Sequence, residues 1–331
     1  DVSPQFLAAF KGGLLVPIAH MNDGFMRPKF PEQILLSYYQ ASLLSELIER
    51  DFGTNAIREM LLSYRRGLST DATVKEVLKT DVDGLQRRFD AFVREKFGPM
   101  LDAVDAGKVG GHEGQQGVDW GGKFADAMRS SVALVEAKQW DQAVAQLEAA
   151  KGLFSTYAGE ESAYAILARI SLERGDTARA ISELRAMTAI NEDAYGATRK
   201  LADLLAARGD AAGATAALDR AMFIFPHETA THAQLADLAA STGAHAIRIR
   251  ERRAILALDP TDRVEALYQL ALALADAGDR TAARRELLRA MELAPNFERG
   301  QELLLRLRGS GTGGDAESLG RELEFHPSGG R

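Results

Sequence analysis

Apolar residues recur at helical spacing through the second half of the chain, each time in front of a glycine. A Leu-Ala pair lies eight and seven residues before that glycine in four places. The four pairs are Leu167-Ala168, Leu201-Ala202, Leu235-Ala236 and Leu270-Ala271. Such spacing predicts an amphipathic helix that ends at each glycine.

Two sets of helix breakers share one period in this region. The turn glycines, which lie 34, 34 and 35 residues apart, are Gly175, Gly209, Gly243 and Gly278. Pro226, Pro260 and Pro295 keep the 34 and 35 spacing, and each follows a turn glycine by 17 residues. Alanines stand five residues after three of the glycines and twelve after two of them, at Ala180, Ala214, Ala283, Ala221 and Ala290. The pattern predicts pairs of closely packed helices.

This pattern resembles the tetratricopeptide repeat family, which implies an all-α, superhelical stack of helix hairpins. A degenerate first unit surrounds Lys138-Gln139-Trp140, so the predicted array spans 124–308 and ends with a capping helix at 297–308. Arg248 stands where the pattern expects a small residue. The remaining segment, 309–331, is rich in glycine and is predicted to be flexible.

The first hundred residues show no period and predict a smaller helical unit at 1–104. Its helices are expected at Glu32–Asp51, from an N-cap at Thr54 to Arg65, from Asp71 to Lys79, and at Leu85–Phe97. Seven glycines follow within 105–123. This density predicts a linker without regular helix or sheet between the two units.

The strings Gly24–Pro28, Ser37–Leu44, Phe52-Gly53 and Tyr64–Gly67 resemble the downstream part of peptidase MA-like proteins, which are predicted gluzincin zinc metallopeptidases. The resemblance covers roughly 5–98 and implies the helical back half of a peptidase domain. In that family the H-E-x-x-H motif and the third zinc ligand, a glutamate, lie upstream of this stretch. Neither is present here.

The same resemblance implies a role for Tyr38 as a hydrogen-bond donor to an oxyanion, because Ala41 follows three residues later. Gln40 replaces the lysine that the family has between them. Tyr39 takes the role if the register shifts by one residue. The alternative is that both tyrosines pack between helices.

The histidines give no zinc site of their own. None of the six histidines has another four residues away, and the chain has no cysteine. The chain as given is therefore expected to hold no cofactor and hydrolyse no peptide, and zinc is expected only with an upstream half. His227 and His232 are five apart, about 140° around a helix, and are predicted to lie in a solvated turn. His112-Glu113 is predicted to be exposed as well.

Helix pairs that stack in this way expose their first helices on a concave face. Counting from the turn glycines places five candidate partner-binding residues there, namely Arg169, Arg199, Asp203, Asp237 and Tyr268. This mixed-charge groove with one aromatic side chain suits a peptide or protein partner, although ordinary surface charge is an open alternative. The second-helix arginines at 248, 250, 252 and 253 indicate a solvated face or a basic docking patch.

Composition narrows the function classes. Hydrophobic residues make up 46% and charged residues 26%, as in folded globular proteins. The net charge of -7 argues against nucleic acid as a partner, and the longest apolar run, Leu270–Ala275, is too short to span a membrane. Because the chain begins with Asp rather than Met, it looks processed, which would suit a secreted or periplasmic protein.

Two functions remain. The first is a scaffold that binds a peptide or protein on the concave face of the array. The second is the C-terminal portion of a zinc-dependent metallopeptidase whose metal-binding half lies upstream, so the sequence leaves open whether the protein is an enzyme.

Overall fold

The computed structural model describes residues 2–112 and 115–309, and the regular secondary structure of this part of the chain is helical except for one two-stranded hairpin. The predicted all-α class is confirmed. The described residues divide into two compact units, with the boundary between Asn191 and Glu192. The sequence-based division lay instead at the glycine-rich segment 105–123. No helix in the described ranges is both long and apolar enough to cross a membrane.

The N-terminal part of the first unit contains short helices around a common core. A single 3-10 turn, Ile18–His20, lies between the first two of them. The helices are α1 (Pro4–Lys11), α2 (Met21–Met26), α3 (Gln33–Phe52), α4 (Asn55–Arg65), α5 (Thr70–Val77) and α6 (Val82–Leu101). The predicted helices are all present. Asp81 caps α6 through a hydrogen bond from the backbone N–H of Gly84, and Ser69 caps α5 through one from Ala72, so that Asp71 lies in the first turn of α5. Thr54 precedes α4 as predicted, but its side chain accepts no capping hydrogen bond.

The glycine-rich segment contains a β-hairpin, so the expectation of no regular structure at 105–123 is wrong. Strands β1 (Lys108–His112) and β2 (Gln115–Asp119) pair antiparallel, with Val109 opposite Val118. Glu113, which was expected to be exposed with His112, lies outside the described residues.

The glycines of this segment permit close backbone contacts. The N–H of Gly107 donates to the carbonyl of Ala8 in α1 at 2.7 Å. A Cβ on Gly12 would lie 2.0 Å from the carbonyl oxygen of Gly107. Glycine is therefore required here because two backbones touch. The high glycine content of this segment does not indicate a free linker.

One hydrophobic core joins the helices of the first unit to the hairpin and to the helices that follow it. Its largest fully buried side chains include Phe6, Leu47, Phe89, Phe124 and Phe154. Val118 of β2 belongs to the same core. The hairpin is thus part of the packed structure of this unit.

The helix pairs follow in the predicted order. In the first unit they are α7 (Lys123–Glu136) with α8 (Trp140–Leu153), and α9 (Ala163–Glu173) with α10 (Thr177–Ile190). In the second unit they are α11 (Tyr195–Ala207) with α12 (Ala211–Ile224), α13 (Thr229–Ser241) with α14 (His245–Ala257), and α15 (Arg263–Asp276) with α16 (Arg280–Leu293). The helix α17 (Glu298–Gly309) ends this series. The described array has the tetratricopeptide helix-pair pattern, and α17 occupies the predicted capping position. Most of the predicted flexible tail, 310–331, lies outside the described residues.

Each helix pair turns through one residue in the left-handed backbone region. Gly175, Gly209, Gly243 and Gly278 have φ between 71° and 86°. In the degenerate first pair the equivalent residue is Lys138, with φ 55°. Glycine adopts this conformation without the steric cost that a Cβ brings, which explains the recurring Gly signal.

Small residues allow the helices of each pair to approach. Ala180, Ala214 and Ala283 are fully buried, as are Ala221 and Ala290. Arg248, at the equivalent position of α14, is also buried, and its Nη1 lies 2.5 Å from Oδ2 of Asp276 in α15. The arginine fits because its guanidinium extends past the contact and forms an ion pair there.

We predict that Gly209→Ala lowers the stability of the second unit by about 1 kcal/mol, because a Cβ strains the left-handed turn. The matched control is Gly196→Ala, since Gly196 lies within helix α11 and both glycines have open space around an added Cβ. The control should leave the melting temperature unchanged or raise it. Equal melting temperatures for Gly209→Ala and the unsubstituted chain would contradict the assignment of this turn.

Candidate partner-binding surface

A polar bridge joins the first helices of two neighbouring pairs in the second unit. Arg199 and Asp203 lie one turn apart on α11, and Gln234 lies on α13. Arg199 Nη2 donates to Gln234 Oε1 at 3.2 Å, and Gln234 Nε2 donates to the carboxylate of Asp203. One amide therefore orients a cation and an anion at the same time. We call these three residues the amide bridge.

Asp237 lies on α13 one helical turn after Gln234 and adds a second carboxylate near the amide bridge. Its carboxylate is 70% exposed and pairs with Arg252 of α14, whose side chain is only 11% exposed. The arginine thus holds the carboxylate from behind while the oxygens stay accessible. Asp203 and Asp237 thus present two carboxylates held by neighbouring side chains, and their role in partner binding stays a prediction.

A second polar group lies on α15 and α17. Glu265 accepts hydrogen bonds from Gln269 Nε2 at 2.8 Å and from Arg299 Nη2 at 2.5 Å. The guanidinium of Arg299 lies 5.1 Å from the ring centre of Tyr268, and Phe297 packs edge-on against that ring at 5.3 Å. The tyrosine ring is thus covered by the side chains of Arg299 and Phe297.

The expectation of an exposed aromatic side chain at Tyr268 is therefore corrected, because Tyr268 is only 8% exposed. It belongs to a small core with Ala271, Leu287 and Leu303. The spacing correctly places Tyr268 on a first helix, α15, but no local pattern indicates that Phe297 and Arg299 cover it.

Arg169 lies in the first unit and is considered separately. It is exposed on α9 and has no ion pair within the described ranges. Among the described residues, no side chain forms a hydrogen bond with Arg169 in the way that Gln234 does with Arg199. Its predicted role in partner binding stays a prediction.

The sequence analysis missed a recurring buried glutamate on the second helices. Glu183, Glu251 and Glu286 each follow a turn glycine by eight residues and are at most 7% exposed. Each of these carboxylates forms ion pairs with nearby cationic side chains. Lys151 lies 2.8 Å from Glu183, and Arg289 lies 2.6 Å from Glu286. The shared offset of eight was the signal that could have revealed them.

The pKa values of the cations in these groups follow from their partners. Partial burial alone would lower the pKa of Lys151, but the hydrogen bond and charge of Glu183, together with Glu148, raise it above its ordinary value. The hydrogen bond to Glu251 likewise raises the pKa of Arg250, with a further contribution from Asp219. These cations stay charged beside their carboxylates.

His232 is buried beside Glu251, so the prediction that it lies in a solvated turn is wrong. Its Nδ1 lies 2.6 Å from Oε2 of Glu251, and its Nε2 lies 2.9 Å from the carbonyl oxygen of Pro226. The histidine joins α13 to α14 and to the preceding loop. His227, by contrast, is exposed as expected.

The arginines of α14 form neither a basic patch nor a uniformly solvated face. Arg248 pairs with Asp276, Arg250 with Glu251 and Asp219, and Arg252 with Asp237. Of the four, Arg253 alone is exposed without an ion pair within the described residues. Both interpretations of this helix failed because three of the carboxylate partners, Asp219, Asp237 and Asp276, lie 15 to 31 residues away in sequence.

The two tyrosines of α3 have different surroundings. Tyr38 is 64% exposed and contacts Phe25 edge-on at 4.9 Å. Tyr39 packs against Phe6 at 4.7 Å, and burial, with a smaller effect from the charge of Glu46, raises its pKa to about 12. Tyr39 is thus a packing residue. Within 2–112 and 115–309, no group of three or more His, Asp or Glu side chains is placed to hold a metal ion.

Comparison with known proteins gives fold-level likeness alone. No family profile and no curated protein matches the sequence. Among solved structures, MamA is 16% identical with a TM-score of 0.39, and the alignment covers 62% of this chain and 98% of MamA. YrrB, described as a TPR protein with an unusual peptide-binding site, is 18% identical with a TM-score of 0.40 over 54% of this chain and 89% of YrrB.

TTC0263, described as a thermophilic TPR protein from Thermus thermophilus, is 21% identical with a TM-score of 0.30 over 56% of this chain and 98% of TTC0263. Likeness at this level concerns the helix-pair architecture and carries no conclusion about ligands. The function must therefore be argued from the residues of this chain.

We predict that Glu251→Gln destabilises the second unit by on the order of 3 kcal/mol, because it removes the charge that His232 and Arg250 share. Urea unfolding measures this loss. Glu302→Gln on α17 is the control, since Glu302 is exposed and has no ion pair among the described residues. A midpoint for Glu251→Gln equal to that of the control would show that the buried group contributes nothing.

We also predict that Tyr39 ionises near pH 12 in the folded chain. Its raised pKa means that the neutral phenol stabilises the fold below about pH 10 and that this contribution is lost as the pH rises toward 12. The phenolate absorbance of the chain, minus that of Tyr39→Phe, measures the titration while circular dichroism monitors folding. Ionisation near pH 10 in the folded state would contradict the burial of this ring.

Proposed function

We propose that this protein is an interaction scaffold that binds a peptide or a peptide-like segment of a protein partner on the first-helix face of α11 and α13. The observation that carries the proposal is the amide bridge. Gln234 fixes Arg199 and Asp203 across two repeats, so the polar groups of this face are oriented before a ligand arrives. Preorganised groups lose little conformational entropy on binding.

The chemistry of the face favours a ligand that offers both donors and acceptors. The exposed carboxylates of Asp203 and Asp237 accept from main-chain N–H groups or from Lys and Arg side chains. Arg199 is half-buried and its Nε has no hydrogen-bond partner in the described residues. Because this Nε is itself buried, a ligand carbonyl or carboxylate would accept from the terminal nitrogens of the guanidinium. A segment with basic side chains fits best.

The peptidase alternative has no comparable support. Tyr38 lies on an exposed helix face with no assembled group of metal-binding side chains around it in the described residues. A zinc cofactor therefore stays an expectation that depends on the resemblance alone.

The experiment is selection of peptides from a displayed random library against the full chain. Bound peptides should carry Lys or Arg, and Arg199→Ala and Asp203→Ala should each weaken binding by roughly 10-fold or more, in line with losing about 1.5–3 kcal/mol from a charged hydrogen bond. Circular dichroism should show unchanged helicity.

Arg253→Ala is the matched control, because Arg253 is an exposed arginine on a second helix. Its affinity should equal that of the unsubstituted chain. Failure to select any peptide, or equal binding by all three variants, would contradict the proposed site.

A further inference from the structure

A cavity in the first unit shares no residue with the amide bridge. It has a volume of about 520 Å³ and is formed by the loop after α1, the 3-10 turn, α2, the segment that leads into α3, and strand β1. Cavities of roughly 300–1,000 Å³ are the size that small-molecule ligands occupy. The wall combines an apolar group of side chains with a group of hydrogen-bond donors.

The apolar part of the wall comes from three places in the chain. Leu14 and Leu15 in the loop after α1 are half-buried, Phe30 before α3 is buried, and Val109 of β1 is 47% exposed. An apolar group that enters the cavity would remove part of this surface from water. The hydrophobic effect therefore favours a ligand with an apolar body.

Gln33 adds a fixed hydrogen-bond donor to this wall. The residue is only 4% exposed, and its Oε1 accepts from the backbone N–H of Lys29 at 2.7 Å. That contact orients the amide and leaves Nε2 with no hydrogen-bond partner among the described residues. Nε2 is not fully enclosed, so a ligand oxygen can reach it. A ligand acceptor would therefore satisfy an amide that the protein leaves half paired.

Two cations without partners line the same cavity. The side chains of Arg27 and Lys29 are exposed, and neither has an ion pair or hydrogen bond within 2–112 and 115–309. Gln33 is the first residue of α3, and the positive end of the helix dipole adds a field that favours an anion. Asp23 also lines the cavity, with its Oδ2 4.0 Å from Nδ1 of His20. The donors therefore outnumber the one acidic group.

This set of groups fits a carboxylate better than other ligands. A carboxylate has two oxygens, which match the planar fork of an arginine and leave a lone pair for a neighbouring amide. A phosphate monoester carries a charge of about −1.5 to −2 at pH 7 and would be repelled more strongly by Asp23. A neutral apolar compound would leave Gln33 and Arg27 without acceptors.

We propose that this cavity binds a monocarboxylate with an apolar body. Its carboxylate accepts from Nε2 of Gln33 and from the guanidinium of Arg27, and its apolar part lies against Leu14, Phe30 and Val109. A free organic acid and the C-terminal carboxylate of an apolar peptide share this chemistry.

Isothermal titration calorimetry of the full chain tests the ligand class with octanoate as the probe. Octanoate should bind with saturation. Octanamide lacks the charge and acetate lacks the apolar body, so each should bind weaker by roughly 10-fold or more. N-acetyl-leucyl-leucine and its C-terminal amide repeat the comparison for a peptide terminus. The tighter of octanoate and the peptide acid identifies the source of the carboxylate.

Two substitutions test the position of the carboxylate. Gln33→Glu keeps an acceptor for the N–H of Lys29 but replaces the donor with a carboxylate oxygen, and it should weaken binding by roughly 10-fold or more. Arg27→Gln should weaken binding to a similar extent, and because Arg27 is exposed and unpaired the fold is not at risk. Arg58→Gln is the matched control, since Arg58 is exposed on α4 and has no ion pair among the described residues. Its affinity should equal that of the unsubstituted chain.

Three results would overturn the proposal. One is the absence of saturable binding by both octanoate and the peptide acid. Another is equal affinity for each acid and its amide, which would show that the charge is not recognised. The third is an affinity that stays unchanged in both Gln33→Glu and Arg27→Gln while circular dichroism shows that both variants are folded.

Discussion

The close approach of the two helices within each pair is the constraint on which the rest of the described array depends. A left-handed residue reverses the chain between them, and fully buried alanines allow the backbones to meet. A side chain at either position would separate the helices or strain the turn. The glycines recur every 34 or 35 residues because each pair repeats this same contact. The first helices then present their polar residues at equivalent places.

Helix α14 shows how the array tolerates a departure from this rule. Arg248 replaces a small residue, and Glu251 and His232 add further buried polar groups within the same pair. Glu251 and His232 pair with each other, and Nη1 of Arg248 pairs with Asp276, while Nε of Arg248 has no hydrogen-bond partner in the described residues. These contacts offset part of the cost of burying the charged groups. The same helix supplies Arg252, which holds Asp237 at the first-helix face. The charge network of α14 thus links the packing of this pair to the candidate binding surface.

The sequence predicted the elements that depend on local rules and missed those that depend on distant partners. Turn glycines, buried alanines and helix limits are local, since each has a fixed conformational or steric reason. The hairpin at Lys108–Asp119 could not be predicted from local rules, because it is held by distant contacts such as the one between Gly107, directly before β1, and Ala8 of α1. The burial of Tyr268 depends on Phe297 and Arg299, about 30 residues away. Three of the carboxylate partners of the α14 arginines are distant for the same reason, whereas helix spacing alone places Arg199 and Asp203 on one face of α11.

The measurement that tests the account most directly is hydrogen exchange of the full chain with and without a selected peptide. If the first-helix face is the binding surface, backbone amides of α11 and α13 should exchange more slowly in the complex, and those on the outer face of α12 should keep their rates. The amides of α14 should change only near Arg252, whose partner Asp237 contacts the ligand. Protection confined to second helices, with unchanged exchange in α11 and α13, would contradict the account.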